Sequence, residues 1–228
     1  DGKWYYFEGS GAMRSGGWMK QGSSWYYLSG SGAMQTGWLS KGGSWYWLDP
    51  ESGRMATGWA KASDGKWYYF EGSGAMRSGG WMKQGSSWYY LSGSGAMQTG
   101  WLSKGGSWYW LDPDSGAMAT GWEKASDGKW YYFEGSGAMQ SSRWLKQGTA
   151  WYYLSGSGAM QTGWLLTGGA WYWMDPESGM MATGWLENGG SWYYLDPSSG
   201  AMATGTAVID GTRYIFDDSG ACADFVDE

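Results

Sequence analysis

The sequence has no histidine, a single cysteine at Cys222, and no apolar run near the roughly 20 residues that a membrane-spanning helix requires. Each absence removes a class of chemistry. Without histidine there is no Ser-His-Asp triad and no His-rich metal site, so neither catalysis nor a bound metal or cofactor is expected. A single cysteine cannot close an internal disulfide, which leaves packing to hold the fold and gives no reading of redox compartment. Basic residues are also scarce. The 15 Lys and Arg stand against 21 Asp and Glu, a formal net charge of -6, whereas a nucleic-acid partner needs clustered basic residues for its phosphates. Asp1, Gly2 and Lys3 do not begin the basic and apolar parts of a signal peptide, so the expectation is the interior or tail of a longer exported chain.

What the sequence does hold is 43 Gly, 22 Trp, 18 Tyr and 14 Met in 228 residues, far from the composition of an ordinary globular domain. These residues recur on a short beat. The Trp that opens each WYY or WYW triplet falls at Trp4, Trp25, Trp45, Trp67, Trp88, Trp108, Trp130, Trp151, Trp171 and Trp192. A second series, mostly after Gly, runs Trp18, Trp38, Trp59, Trp81, Trp101, Trp122, Trp144, Trp164 and Trp185, and loop methionines keep step from Met13 to Met202. A longer period lies above it: Asp1 to Ser63 recurs almost unchanged from Asp64 to Ser126, and more loosely from Asp127. Such self-similarity marks an array of stacked units.

Each short unit predicts two strands, one around GWLSKG and one around SWYWL, joined by a tight Gly-containing turn and followed by a Gly/Ser loop. Aromatic enrichment without helical spacing favours strand over helix. An isolated hairpin is marginal in water, so the units must stack on their neighbours. Residues 1–205 therefore read as an array of about ten hairpins. Residues 206–228 read as a degenerate capping hairpin and tail, because Gly205-Thr206 replaces GW and Arg213, Tyr214 and Ile215 replace the triplet.

Side chains alternate along a strand, so the first and third residues of a triplet share a face and the middle Tyr points the other way. The middle Tyr is expected in the core. The GW Trp precedes the triplet Trp by 7 or 8 residues, which brings two indoles side by side across the hairpin. Burying two indoles in every short unit exceeds what thin stacked hairpins need, so these pairs are the candidate ligand walls. The loop Met serves either as a wall or as filler for irregular gaps. The repeated glycines are expected in turns, since no phosphate-cradling pattern appears. Carboxylates such as Asp49 and Glu51 read as solvated turn residues and not as a glycosidase pair.

The segment GWLSKGGSWYWLDPESGRMATGW resembles the cell-wall-binding repeat of the choline-binding proteins of Gram-positive bacteria, and the likeness extends over nearly the whole chain. That resemblance implies an all-β fold, a β-hairpin solenoid wound as a left-handed superhelix with about three hairpins per turn. It also implies choline held between consecutive hairpins in aromatic boxes. Carried onto this sequence, each box takes its GW Trp and triplet Trp from one unit, and the third-position aromatic with the loop Met from the next. The implied boxes are Trp18, Trp25, Trp47 and Met55; Trp38, Trp45, Tyr69 and Met76; Trp59, Trp67, Tyr90 and Met97; and Trp81, Trp88, Trp110 and Met118. Farther along come Trp101, Trp108, Tyr132 and Met139; Trp122, Trp130, Tyr153 and Met160; Trp144, Trp151, Trp173 and Met181; and Trp164, Trp171, Tyr194 and Met202. Trp185 and Trp192 would meet Ile215 and form an open box, Arg143 beside Trp144 would disfavour a cationic ligand, and Trp4 has no GW partner.

A quaternary ammonium donates no hydrogen bond and is best recognised by the negative faces of several rings. The expected partner is choline or phosphocholine on teichoic acid, with the chain extracellular, cell-wall associated and anchoring a larger surface protein. Two readings from other classes stand beside it: a glucan-binding module whose aromatics stack on sugar rings, and a structural repeat that pairs two chains through the cap. No nucleic acid and no membrane insertion are expected.

Overall fold

The computed structural model describes residues 2–226. Every regular element among them is a β-strand. The first strands are β1 (Gly17–Gln21), β2 (Ser24–Leu28), β3 (Gly37–Lys41), β4 (Ser44–Leu48), β5 (Gly58–Lys61), β6 (Trp67–Phe70), β7 (Gly80–Gln84), β8 (Ser87–Leu91), β9 (Gly100–Lys104) and β10 (Ser107–Leu111). They continue as β11 (Gly121–Lys124), β12 (Trp130–Phe133), β13 (Arg143–Gln147), β14 (Ala150–Leu154), β15 (Gly163–Thr167), β16 (Ala170–Met174), β17 (Gly184–Asn188), β18 (Ser191–Leu195), β19 (Gly205–Ile209), β20 (Thr212–Phe216) and β21 (Cys222–Val226). Strands pair in succession as hairpins, and the last hairpin gains β21 as a third strand. The expected tail is thus partly a strand, with Tyr214 opposite Phe225 and Phe216 opposite Cys222. Residues 227 and 228 of the expected cap lie outside the described residues.

Two hairpin forms follow from two turn chemistries. In the short form a two-residue turn joins the strands, as at Gly42 (φ 60°) and Gly43 (φ 79°), where both central residues hold the positive φ that a type I′ turn demands. The long form carries KASDGKW. There Ala62 and Lys66 extend the ladder, Ala62 N–H donating to the Lys66 carbonyl at 3.0 Å, and the Asp64 carboxylate accepts from Lys66 N–H at 3.1 Å and from the Tyr68 hydroxyl at 2.8 Å. Despite the extra residue, the GW Trp faces the third triplet residue in both forms: Trp18 opposite Tyr27, Trp59 opposite Tyr69.

The register divides every hairpin into two unlike faces. In β1 and β2, Trp18, Lys20, Trp25 and Tyr27 share one face, while Met19, Tyr26 and Leu28 share the other. The second face supplies the core, with Met19 and Leu28 at 4% and 1% exposure and Leu48, Phe70, Leu91, Phe133, Leu154 and Leu195 buried at the matching position. After each hairpin the loop turns back so that its Met bridges the last strand residue, Leu28 with Met34 and Leu48 with Met55.

The chain forms two compact units, Asp1–Leu102 with Trp110–Met118, and Ser103–Tyr109 with Ala119–Glu228. Within each, one hairpin stacks on the next by opposite faces. Trp18, Trp38 and Trp59 in the first unit rest edge-on against Tyr46, Tyr68 and Tyr89 of the following hairpin. Trp122, Trp144, Trp164 and Trp185 in the second rest on Tyr152, Tyr172, Tyr193 and Tyr214. Across these seven contacts the centroid distances are 4.8 to 5.0 Å and the interplanar angles 60 to 82°. Edge-to-face pairs of this kind are the preferred aromatic geometry.

Candidate functional site

The GW indole is the hub of each of these seven junctions. On one side lies the third-position ring of its own hairpin, for example Trp18 with Tyr27 at 5.2 Å, and on the other the middle Tyr of the next. The triplet Trp stands nearly perpendicular to it, as in Trp38–Trp45 at 6.1 Å and 88°, and in Trp164–Trp171 at 6.4 Å and 90°. A two-sided corner of indoles results. Its outer wall stays in solvent: Trp25, Trp45, Trp67, Trp88, Trp108, Trp130, Trp151, Trp171 and Trp192 are all among the exposed large side chains.

The loop Met closes the corner from the next hairpin, fixed by its backbone. Met55 N–H donates to the Trp25 carbonyl, Met76 to Trp45, Met97 to Trp67, Met118 to Trp88, Met139 to Trp108, Met160 to Trp130, Met181 to Trp151 and Met202 to Trp171, all at 2.7 to 2.8 Å. Every Met is therefore joined to the triplet Trp expected beside it. Behind Met55, Met76, Met97, Met139, Met160, Met181 and Met202 lies a glycine from one loop farther on. A Cβ on Gly74 would collide with Met55 Sδ, and one on Gly116 with Met97 Sδ, so these glycines leave the room that Met occupies as well as taking positive φ.

The finished junction is an open notch. Trp18, Trp25, Tyr46 and Met55 line one of about 260 Å³, rimmed by Gly72 and Ser73. Trp59, Trp67, Tyr89 and Met97 line a second of about 260 Å³, rimmed by Asp114 and Ser115. Trp164, Trp171, Tyr193 and Met202, with Ser219, line a third of about 250 Å³. The rim comes from the loop two hairpins downstream, so each notch draws on three successive units.

The structure corrects one wall of the expected boxes. Trp47, Tyr69, Tyr90, Trp110, Tyr132, Tyr153, Trp173 and Tyr194 do not face the preceding hairpin. Each lies across its own hairpin against Trp38, Trp59, Trp81, Trp101, Trp122, Trp144, Trp164 and Trp185, at 5.1 to 5.4 Å. Trp47 and Trp110 are buried, at 4% and 2% exposure. Strand parity is the reason. The third residue shares a face with the triplet Trp, whereas the hairpin stacking from the other side presents its opposite face, which carries the middle Tyr. Tyr46, Tyr89 and Tyr193 are accordingly notch walls, although the middle Tyr was expected in the core. Only in the long-turn hairpins is it buried, Tyr68 and Tyr131 each at 6% exposure.

Other expected sites are placed as follows. Trp81, Trp88, Trp110 and Met118 all lie in the first unit, Trp81 packing on Tyr90 at 5.2 Å. The set Trp101, Trp108, Tyr132 and Met139 is divided, Trp101 belonging to the first unit and the others to the second. Arg143 is exposed at the start of its strand, opposite Leu154. The open box expected at Trp185 and Trp192 is not found as described. The facing residue is Tyr214, 4.8 Å from Trp185, and Ile215 lies opposite Thr206. Cys222, opposite Phe216, takes the loop position that Met202 takes opposite Leu195.

Lysine ammonium groups already stand over the outer indoles: Lys20 is 5.8 Å from the Trp25 ring, Lys83 5.9 Å from Trp88 and Lys146 5.3 Å from Trp151. The loops are held by carboxylates. Asp49 accepts from the Ser52 N–H and hydroxyl at 2.8 and 2.6 Å, and Asp112 from those of Ser115 at 2.7 and 2.6 Å. These bonds hold both carboxyls below the usual carboxylate range. Burial, helped by the Asp64 carboxylate, pushes the Tyr68 hydroxyl up to about 12.

Comparison with known proteins agrees with this architecture. A choline-binding repeat model matches residues 15–58, 51–81, 78–121, 115–144, 145–184 and 177–206, and a putative cell wall binding repeat model matches residues 1–13. The chain belongs to the choline-binding repeat family, and its fold class is all-β, a β-hairpin solenoid. Choline binding protein F from Streptococcus pneumoniae is 33% identical, with a TM-score of 0.70 and coverage of 98% of this chain and 90% of that one. CbpJ from Streptococcus pneumoniae TIGR4 is 32% identical, with a TM-score of 0.64 over 98% of this chain and 92% of that one. The modular autolysin LytC from Streptococcus pneumoniae is 27% identical, with a TM-score of 0.63 over 98% of this chain and 52% of that one. The search of curated proteins gave no match.

Proposed function

We propose that the chain is a non-catalytic module that binds choline or phosphocholine groups of teichoic acid in its aromatic notches, extracellularly and at the cell wall, and so anchors a larger surface protein. The observation that carries this reading is the solvent-open corner of two indoles, a tyrosine and a methionine, repeated with one geometry. A trimethylammonium head fits such a corner by cation-π attraction and by contact with Met, without any hydrogen bond. The crossed rings disfavour a sugar, which stacks on one flat face. Choline binding protein F, solved in complex with ipratropium, a quaternary ammonium compound, adds support.

Three partly exposed rings give about 3–5 kcal/mol, which corresponds to a dissociation constant of about 1 mM for one notch. Several notches on a polymer bearing many choline groups raise the overall avidity by about 100- to 10,000-fold where spacing allows joint engagement. Calorimetry on the full chain tests the reading. Choline chloride and tetramethylammonium chloride are expected to give saturable heat and ammonium chloride none. Heat with dextran and none with choline would replace this function with glucan binding.

A further inference from the structure

The rims of the notches are not alike. The notch of Trp18, Trp25, Tyr46 and Met55 is rimmed by Gly72 and Ser73, and that of Trp59, Trp67, Tyr89 and Met97 by Asp114 and Ser115. The groove beside Trp4, Tyr26 and Met34 is likewise rimmed by an acid, Glu51, with Ser52. In sequence these positions lie two residues before a loop glycine, where every third loop as far as residue 179 is DPESG or DPDSG, after EGSG and SGSG. These two notches are matched in their walls, two Trp, a middle Tyr and a Met, and Glu71 beside Gly72 is paired with Arg77 at 3.6 Å. Each has a lysine opposite its triplet Trp, Lys20 facing Trp25 and Lys61 facing Trp67. Near the acid-rimmed notch, the Asp112 carboxylate is engaged in holding Ser115, which fixes the loop that bears Asp114.

We propose that the rim residue sorts the notches by ligand charge: the Asp114 notch prefers a choline cation with no phosphate beside it, whereas the Gly72 notch admits phosphocholine equally well. This rests on the function proposed above. The physical basis is the shape of the ligand. With the trimethylammonium head in the aromatic corner, the two-carbon arm leads outward past the rim, so the phosphate of phosphocholine is carried toward the Asp114 carboxylate. The carboxylate attracts the bare cation, and with phosphocholine that attraction is opposed by repulsion of the anionic phosphate. At a solvent-exposed rim the difference amounts to about fivefold in the affinity ratio of the two ligands, diminishing with salt.

Ligand-free crystals of the full chain, soaked with graded choline or phosphocholine, give the occupancy of each notch separately. Choline is expected to fill the Asp114 notch at about fivefold lower concentration than it fills the Gly72 notch, and phosphocholine is expected to lose that order. Asp114→Asn should make the two notches equivalent. Gly72→Asp is the reciprocal change, at a position where an added Cβ meets nothing within 4 Å, and should give the second notch the selectivity of the first. The same filling order for both ligands, unmoved by either variant, would overturn the sorting while leaving choline binding intact. Notches that stay empty with both ligands would remove the proposed function and this inference together.

Discussion

The groove at Trp4 and the notch at Trp18 and Trp25 each set a WYY triplet against the middle Tyr and the loop Met of the following hairpin, and the first lacks a GW indole. Trp4 is 73% exposed, against 39% for Trp25. The Trp4 groove is also wider, about 300 Å³ against 260 Å³, and Met19, Gln21 and Leu28 of the following hairpin reach its lining. In the complete junction, the corresponding surface is covered by the hub indole. The GW Trp thus has two tasks at once, forming one wall of the notch and sealing the core face of the next hairpin. The triplet Trp, exposed in both settings, has mainly the first task.

The comparison can be broken most severely with Trp18→Ala, which turns a complete junction into one like that at Trp4. A loss of about 3 kcal/mol is expected in denaturant unfolding, because a large packed indole is removed, together with loss of choline from that notch in a ligand soak. Unchanged stability would show that the hub does not seal the core. A smaller effect separates the corrected wall from the expected one. Tyr46→Leu should weaken choline at the Trp18 and Trp25 notch by about 2- to 30-fold, the loss of one cation-π face, whereas Trp47→Phe should leave occupancy there unchanged. Crystallographic occupancy of that one notch reads both, and the opposite ranking would restore the third-position ring as the wall.

The smallest effect concerns the long-turn hairpins, where the middle Tyr is buried. The Tyr68 hydroxyl is raised from its usual value near 10 to about 12, so the folded state holds its proton more tightly than the unfolded chain does. Its stabilising contribution is full below pH 10 and declines as pH rises toward 12. Tyr68→Phe should remove that part of the alkaline decline, and the melting temperatures of the two proteins should converge between pH 10 and 12. Parallel curves would count against a hydroxyl that burial, with the Asp64 carboxylate, holds protonated in the folded state.

Much of this was legible in the sequence. The strands and the pairing of GW with the triplet follow from period, alternation and turn chemistry, and the matching of each Met to its triplet Trp from the resemblance to the choline-binding repeat. The fourth wall was legible too, since a residue two positions from Trp45 cannot lie on the face opposite to it. The implied boxes placed Trp47 where only Tyr46 can reach, and the same parity misassigned Ile215 in place of Tyr214. Less accessible were the rim residues, which come from two hairpins downstream. Their one signal is the recurrence of DPESG or DPDSG in every third loop as far as residue 179, after EGSG and SGSG. The strand Cys222–Val226 was missed because its Cys replaces the repeating Met that marks every earlier loop.

The seating of a loop Met beneath a glycine of the next loop, as Met55 beneath Gly74, bears on how such a gene can change length. A junction needs matching parts from three neighbours, so a segment spliced in at random would fail at both seams. Asp1–Ser63 and Asp64–Ser126 carry nearly interchangeable parts, and recombination in phase between them would leave each seam fitted. The number of notches could then rise or fall in whole steps of three hairpins, with no redesign of any single junction.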